Sequence, residues 1–226
     1  MTSTVFIARR FRGPNHSGNG GYTCGLLAGF AGGEVEVTLR LPPPLERLLT
    51  VERDGERVLL LDGEALVAEA VPAVVEVAVP AVVTWEEAVE ARERYSGFER
   101  HPFPECFTCG PAREPGEGLC IHPGEVRPGL VAAPWFAHDV SPEVVWAAID
   151  CPGAFGAGYT GRGETVLGRM AARIDRLPRD GERCVALGFG LGEDGRKLYA
   201  GTALLGDGGE TLAVARQTWI ALAPQP

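Results

Sequence analysis

The stretch Ser141-Pro142-Glu143-Val144-Val145-Trp146-Ala147-Ala148-Ile149-Asp150-Cys151-Pro152-Gly153 decides how the rest of the chain is read. Its pattern predicts one apolar helix with a single carboxylate near the far end. Ser141 suits the N-cap, Pro142 the first helical position, and Glu143 faces the positive end of the helix dipole. Val145, Ala148 and Ile149 share a face at helical spacing, with Trp146 beside them. Pro152 has no amide hydrogen for Ala148, so the helix is expected to stop or kink just past Asp150. A carboxylate there is either solvated or held by a partner, because burying it alone is costly.

Working outward, Thr165 to Leu177, Glu182 to Leu191, Arg196 to Leu205 and Thr211 to Leu222 read as four consecutive strands. Pro178-Arg179-Asp180-Gly181, Glu193-Asp194-Gly195 and Gly206-Asp207-Gly208-Gly209 supply turn chemistry between them. In the first of these strands, alternation puts Val166, Met170 and Ile174 on one face. Leu167, Arg169 and Arg173 fall on the other. A helix followed by an antiparallel meander predicts a sheet wrapped around a helix, in the α+β layer class.

The N-terminal half gives the same order of elements. Thr4 to Phe11 alternates like a strand, and the loop Gly13 to Gly21 leads into a helical run, Tyr22 to Phe30, stopped by Gly32-Gly33. Glu34 to Leu41, Leu48 to Arg53, Arg57 to Leu61 and a run after Asp62-Gly63 are strands. Two short matches suggest an internal repeat. Gly63-Glu64-Ala65-Leu66 echoes Gly209-Glu210-Thr211-Leu212, and Asp54-Gly55-Glu56-Arg57 echoes Asp180-Gly181-Glu182-Arg183. Between the halves, Thr84 and Glu87 form a capping box for a helix running to about Tyr95. The expected division is therefore 1–83, a connector helix over 84–100, and 101–226.

Composition excludes several function classes. The 226 residues carry a net charge of −9, and no region concentrates the Lys and Arg that would replace phosphate counterions, so nucleic acid is not the expected partner. The greasiest segment, Ala65 to Val83, holds Glu69, Pro72, Glu76 and Pro80 and cannot span a bilayer. With nothing resembling a signal peptide, a cytoplasmic location is expected.

Six cysteines in such a chain are expected to be reduced. Cys24, Cys151 and Cys184 read as small core residues. Cys106, Cys109, Cys120 and His122 are weak candidates for a zinc set, since a strand over Leu119 to His122 would put Cys120 and His122 on one face. The default is a turn of reduced thiols and no metal.

Given twice, a strand, a buried helix and an antiparallel meander resemble a double hotdog protein. That superfamily includes acyl-CoA thioesterases and dehydratases, and the resemblance covers nearly the whole chain. Ala147-Ala148-Ile149-Asp150 looks like the helix of the phenylacetate-pathway thioesterase type, where a carboxylate in the central helix is catalytic. Asn15-His16 and Gly20-Gly21 look like a spread-out form of that family's His-Gly-Gly entry to the helix, interrupted here by Ser17-Gly18-Asn19. The first helix has Ala28-Gly29 and no acid. The second lacks the glycine pair. A single composite site is implied, with oxyanion donors from one half and the acid from the other. Arg169 stands where the medium-chain double hotdog thioesterases would have an acid, which departs from their Asp–Thr–Gln arrangement.

The resemblance thus leans toward an enzyme, an acyl-CoA thioester hydrolase. Asp150 would be general base or nucleophile, and Asn15 or His16 would orient water or the carbonyl. Gly20 and Gly21 would polarise the carbonyl through their amides. Arg169 and Arg173, with Arg162 and Arg176, would meet coenzyme A phosphates unless they form an ordinary exposed strand face. Coenzyme A enters as part of a small-molecule acyl thioester, with no separate cofactor, and a homodimer is compatible with the fold. The alternative is a non-catalytic acyl or hydrophobic small-molecule binder on the same scaffold.

Overall fold

The computed structural model describes residues 3–159 and 163–222. Eleven strands pair throughout as antiparallel neighbours in one sheet. They are β1 (Ser3–Phe6), β2 (Val35–Leu39), β3 (Leu48–Asp54), β4 (Arg57–Asp62), β5 (Ala65–Pro72), β6 (Gly124–Arg127), β7 (Leu130–Phe136), β8 (Thr165–Ile174), β9 (Arg183–Asp194), β10 (Lys197–Leu205) and β11 (Thr211–Ala221). The helices are α1 (Gly20–Ala31), α2 (Trp85–Arg92), α3 (Pro142–Ala148) and α4 (Cys151–Gly156).

The strand order is β1-β3-β4-β5-β2-β8-β11-β10-β9-β7-β6. From either side inward the sheet runs through a three-stranded meander and ends on the strand that follows that half's helices. Those two strands, β2 and β8, meet edge to edge from Val35 opposite Ala172 to Thr38 opposite Arg169. The expected simple meander of four strands is corrected here, because β8 pairs with β11 and β2 and not with β9. The connection 175–182 contains Pro178 and is too long for a tight hairpin, so the chain crosses over before β9 begins. Of the two internal matches, Gly63-Glu64 and Gly209-Glu210 occupy equivalent turns. Asp54-Gly55 lies between β3 and β4, whereas Asp180-Gly181 lies between β8 and β9, so that pair is not equivalent.

Asn19 caps α1, its Oδ1 accepting the Tyr22 amide at 2.8 Å. The helix thus starts two residues earlier than expected. Gly32, with φ 76°, closes it. Four glycines make α1 a poor helix by propensity, and two of them explain why it carries them. A Cβ on Gly21 would lie 2.5 Å from Asp150 Cβ, and one on Gly25 would lie 2.6 Å from Glu143 Cα. The glycines let α1 press directly on α3.

The second central helix is two pieces. Ser141 caps α3 as expected, accepting the Val144 amide at 3.4 Å. Pro152 then breaks the ladder, and α4 begins at once from Asp150. Gln217 on β11 satisfies the carbonyls exposed at the joint, donating from Nε2 to Ile149 O at 2.7 Å and Asp150 O at 3.1 Å. The first strand is also shorter than its alternation suggested, giving way to a 3₁₀ turn over Arg9–Phe11.

One face of the sheet holds the main core around these helices. Residues 73–83 run extended across the opposite face of the C-terminal strands, burying Val75 and Val83 against Ala171, Leu187, Ala203 and Val214. The capping box of α2 is present, with Thr84 Oγ1 accepting the Glu87 amide and Glu87 accepting that of Thr84. No helix among the described residues is long and apolar enough to cross a membrane.

Two stability predictions follow from this packing. Gly25→Ala would gain up to about 1 kcal/mol of helix propensity, yet it drives a methyl into the α3 backbone, and overpacking costs roughly 1–3 kcal/mol. Denaturant melts should therefore show net destabilisation, and a gain in stability would contradict the close helix contact. The second concerns Glu182, whose buried carboxylate receives Arg176 at 2.7 and 2.9 Å and the Arg179 amide at 2.6 Å. These bonds, the Arg176 guanidinium foremost, hold its pKa down from 4.5 to about 2. A lowered folded-state pKa means stability that is present above the unfolded value and lost as pH falls toward 2. Glu182→Gln should cost roughly 1.5–3 kcal/mol at neutral pH, and the gap from wild type should narrow between pH 4.5 and 2.

Candidate functional site

Asp150 lies at the α3–α4 joint, where the helix break turns its side chain toward the N-terminus of α1. Its carboxyl is buried, with 2% of the residue exposed. Oδ2 accepts the Gly21 amide at 3.0 Å and Asn19 Nδ2 at 3.1 Å. Oδ1 is buried and has no partner among the described residues. Burial pushes the pKa up to about 8, while the Gly21 amide and the Asn19 carboxamide pull the other way.

The surrounding shell comes from three parts of the chain. Asn19 Nδ2 also lies 3.3 Å from Thr108 Oγ1, and that hydroxyl donates to Ala147 O at 2.9 Å. Phe107, one residue earlier, packs edge-on to both Phe11 and Tyr22, which holds the connector against α1. Trp219 Nε1 donates to Gln217 Oε1 at 2.8 Å, fixing the amide that grips the helix joint. An acid, a threonine and a glutamine thus meet here. Gln217, however, binds the main chain of Asp150 and Thr108 that of Ala147, so neither touches the carboxylate.

Beside Asp150 opens a cavity of about 410 Å³ at the seam of β2 and β8. Its walls are mainly apolar, with Leu39, Pro43, Leu167, Trp219 and Ile220 among them, and Asn19, Gly20, Cys106 and Asp150 also line it. Such a volume fits a small or chain-like organic group. The amide of Gly20, at the first position of α1, has no partner among the described residues and forms part of the positive end of the helix dipole. The arrangement can hold an apolar chain, polarise a carbonyl at the helix end, and present a carboxylate to it.

Of the residues singled out from sequence, Asp150 and Gly20 line the cavity and Gly21 contacts Asp150. Gly21 is not free to act as an oxyanion donor, because its amide is already given to Asp150. Asn15 and His16 are exposed on the loop and line no part of the cavity. Asn19 stands where they were expected. Its position immediately before two glycines at a helix start is an N-cap signal legible in the sequence.

The arginines are likewise corrected. Arg169 faces away from the cavity and meets Thr38 Oγ1 at 3.0 Å and Glu36 at 3.4 Å. Arg173 is spent on Asp175 and the Val75 carbonyl, and Arg176 on Glu182 and Glu210. Strict alternation would put Leu167 and Arg169 on one face, but a bulge at Gly168 shifts the register and separates them. Arg162 lies outside the described residues. Arg40 is the basic side chain on the cavity rim, and it is paired with Glu69.

Cys120 and His122 do not join the thiols of Cys106 and Cys109. No strand forms over 119–122, and Cys120 takes φ 52°, which breaks the alternation that would have aligned them. Cys120 Sγ lies 3.5 Å from Arg113 O, and His122 stacks on Tyr95 with burial lowering its pKa to about 4. Cys24 and Cys184 are buried as expected. Cys151 is not simply a core residue, since its sulfur lies 3.8 Å from that of Cys106.

No family model matches the chain, and no curated protein matches it in sequence. Solved structures do match. The tesB protein of Mycobacterium avium subspecies paratuberculosis superposes with a TM-score of 0.64 at 12% identity, covering 98% of this chain and 93% of that one. The acyl-CoA thioesterase II TesB2 of Mycobacterium marinum gives 0.57 at 13% identity, over 99% and 94% of the two chains. A conserved protein with a hot dog fold from Alicyclobacillus acidocaldarius gives 0.64 at 11% identity, again over 99% and 94%. Identities this low carry the fold and nothing finer: the chain has the hotdog fold.

Proposed function

We propose that the chain is an acyl-CoA thioester hydrolase built from two tandem hotdog units, 1–83 and 101–226, joined by the connector helix region 84–100. The observation that carries this is the buried Asp150 carboxyl on the wall of an apolar cavity, beside an unpaired helix-end amide at Gly20. The acyl chain would lie along Leu39, Leu167 and Trp219, with the thioester carbonyl turned toward the start of α1. Asp150, ionised above its raised pKa of about 8, takes a proton from a water that attacks the carbonyl carbon, and the Gly20 amide receives the developing oxyanion while Asn19 Nδ2 holds the carboxylate. The tetrahedral intermediate then collapses with cleavage of the carbon–sulfur bond, and the departing sulfur of coenzyme A takes the proton that Asp150 holds, leaving as the thiol and restoring the carboxylate. Asp150 can also act as the nucleophile, through an anhydride that water hydrolyses.

Coenzyme A belongs to the substrate on this reading and no further cofactor is called on. The partner is a small acyl thioester, not a nucleic acid or a membrane. A cytoplasmic location and a homodimer remain part of the same proposal. One observation favours the non-catalytic acyl binder instead: Gly21, an expected oxyanion donor, is already occupied by Asp150.

A panel of acyl-CoAs of varied chain length, with thiol release read colorimetrically, tests the proposal. At least one should turn over. Asp150→Asn keeps an oxygen for Gly21 and Asn19, so the fold and acyl-ligand binding should survive while kcat falls about 10²–10⁴-fold. Unchanged turnover in that variant would remove Asp150 from the chemistry. Release from no substrate, beside measurable acyl-ligand binding, would establish the binder. Asn19→Ala should lower turnover and also cost about 1 kcal/mol of stability, because the same residue caps α1. A stability loss with turnover intact would confine Asn19 to capping.

A further inference from the structure

Three cysteines from two distant parts of the chain converge beside the joint of α3 and α4. Cys106 and Cys109 belong to a Cys-x-x-Cys-Gly turn, closed by the Gly110 amide on Cys106 O at 2.9 Å. Cys151 comes from the first turn of α4. Their sulfurs all lie within 4.8 Å of one another, and none of the three residues is more than 6% exposed. The Cys106 and Cys151 sulfurs are 3.8 Å apart. A disulfide needs about 2.05 Å. Two thiolates bound at about 2.3 Å to one tetrahedral zinc sit about 3.8 Å apart. His101 Nε2 lies 3.3 Å from Cys109 Sγ but outside the set of atoms mutually within 4.8 Å, so its ring must swing inward to serve as a fourth donor.

We propose that Cys106, Cys109 and Cys151 bind one thiophilic divalent cation, zinc being the expected one, with His101 as the fourth ligand. Zinc enters as the three thiols give up their protons. Three thiolates, one neutral imidazole and Zn²⁺ leave the site with a single negative charge. His101 must also rearrange. Its Nδ1 now accepts the Phe103 amide at 3.0 Å, which keeps the ring proton on Nε2, facing Cys109. Coordination through Nε2 moves that proton to Nδ1 and gives up the Phe103 contact. The ion would staple the connector to the helix joint, and so hold Thr108 and Asp150 in place beside the cavity wall that Cys106 and Cys151 line. The site does not depend on the hydrolase reading, because none of its four residues is assigned a part in the chemistry.

The full chain, purified by gel filtration from zinc-supplemented cells, should carry about one zinc per chain by elemental analysis. Cobalt(II) exchanged into the site should give thiolate-to-metal charge transfer and the intense visible bands of a tetrahedral ion. Cys109→Ser should abolish the metal, Cys120→Ser should retain it, and His101→Ala should weaken zinc binding by about ten-fold or more. Undiminished affinity in His101→Ala would overturn the fourth ligand. The cobalt spectrum of the wild-type chain keeps the test decisive even if Cys109→Ser fails to fold. The site as a whole is overturned if the reduced chain takes up no zinc or cobalt from excess. It is equally overturned if mass spectrometry finds two of the three cysteines joined as a disulfide in freshly lysed cells.

Discussion

The capture of a buried carboxylate across a helix–helix contact governs the centre of this molecule. Asp150 comes from the C-terminal half, and the two donors that hold it, Gly21 N and Asn19 Nδ2, come from the N-terminal half. Burial raises its pKa, and a carboxyl group in such a place needs hydrogen-bond partners. Each half therefore constrains the other. Gly21 must lack a side chain for α1 to come close enough, and Pro152 must break the second helix for the acid to turn inward. Gln217 then has to cover the carbonyls that the break exposes. The seam of β2 and β8 and the cavity beside it lie where these requirements meet.

Much of the scaffold was legible in the sequence because its signals are local. Ser141 and Pro142 mark a helix start, Thr84 and Glu87 a capping box, and Gly55, Gly195 and Gly209 sit at turns with positive φ. What the sequence could not convey was non-local. Whether β8 lies beside β9 or β11 depends on what covers each edge, not on the residues of β8 alone. The bulge at Gly168 reverses the side on which Arg169 emerges, and one extra residue in a ladder leaves almost no trace in a pattern of alternation.

The site was legible in part. Asp150 stood out as a lone acid in an apolar run. Asn15-His16 is conspicuous because histidine is chemically versatile, whereas the signal of Asn19 lies only in its capping position before Gly20 and Gly21. Thr108 and Gln217 gave no warning, being ordinary polar residues in a loop and a strand until the fold brings them to Asp150. The convergence of Cys151 with Cys106 and Cys109 was hidden for the same reason: forty-five residues separate Cys106 from Cys151 in sequence.

Joining both halves in one polypeptide has a consequence for symmetry. Two identical subunits related by a twofold axis would each have to supply every feature of the shared helix contact. A single helix sequence would then carry the glycines, the acid and the kink together, and two equivalent centres would result. Here the strand order is nearly palindromic, yet α1 keeps small residues and runs unbroken over Gly20–Ala31 while the α3–α4 pair keeps the acid and the break. Within one chain the two helices are free to differ in opposite directions. The pseudo-symmetric frame can thus host a centre that is itself fully asymmetric, with one carboxylate per chain and a defined front and back.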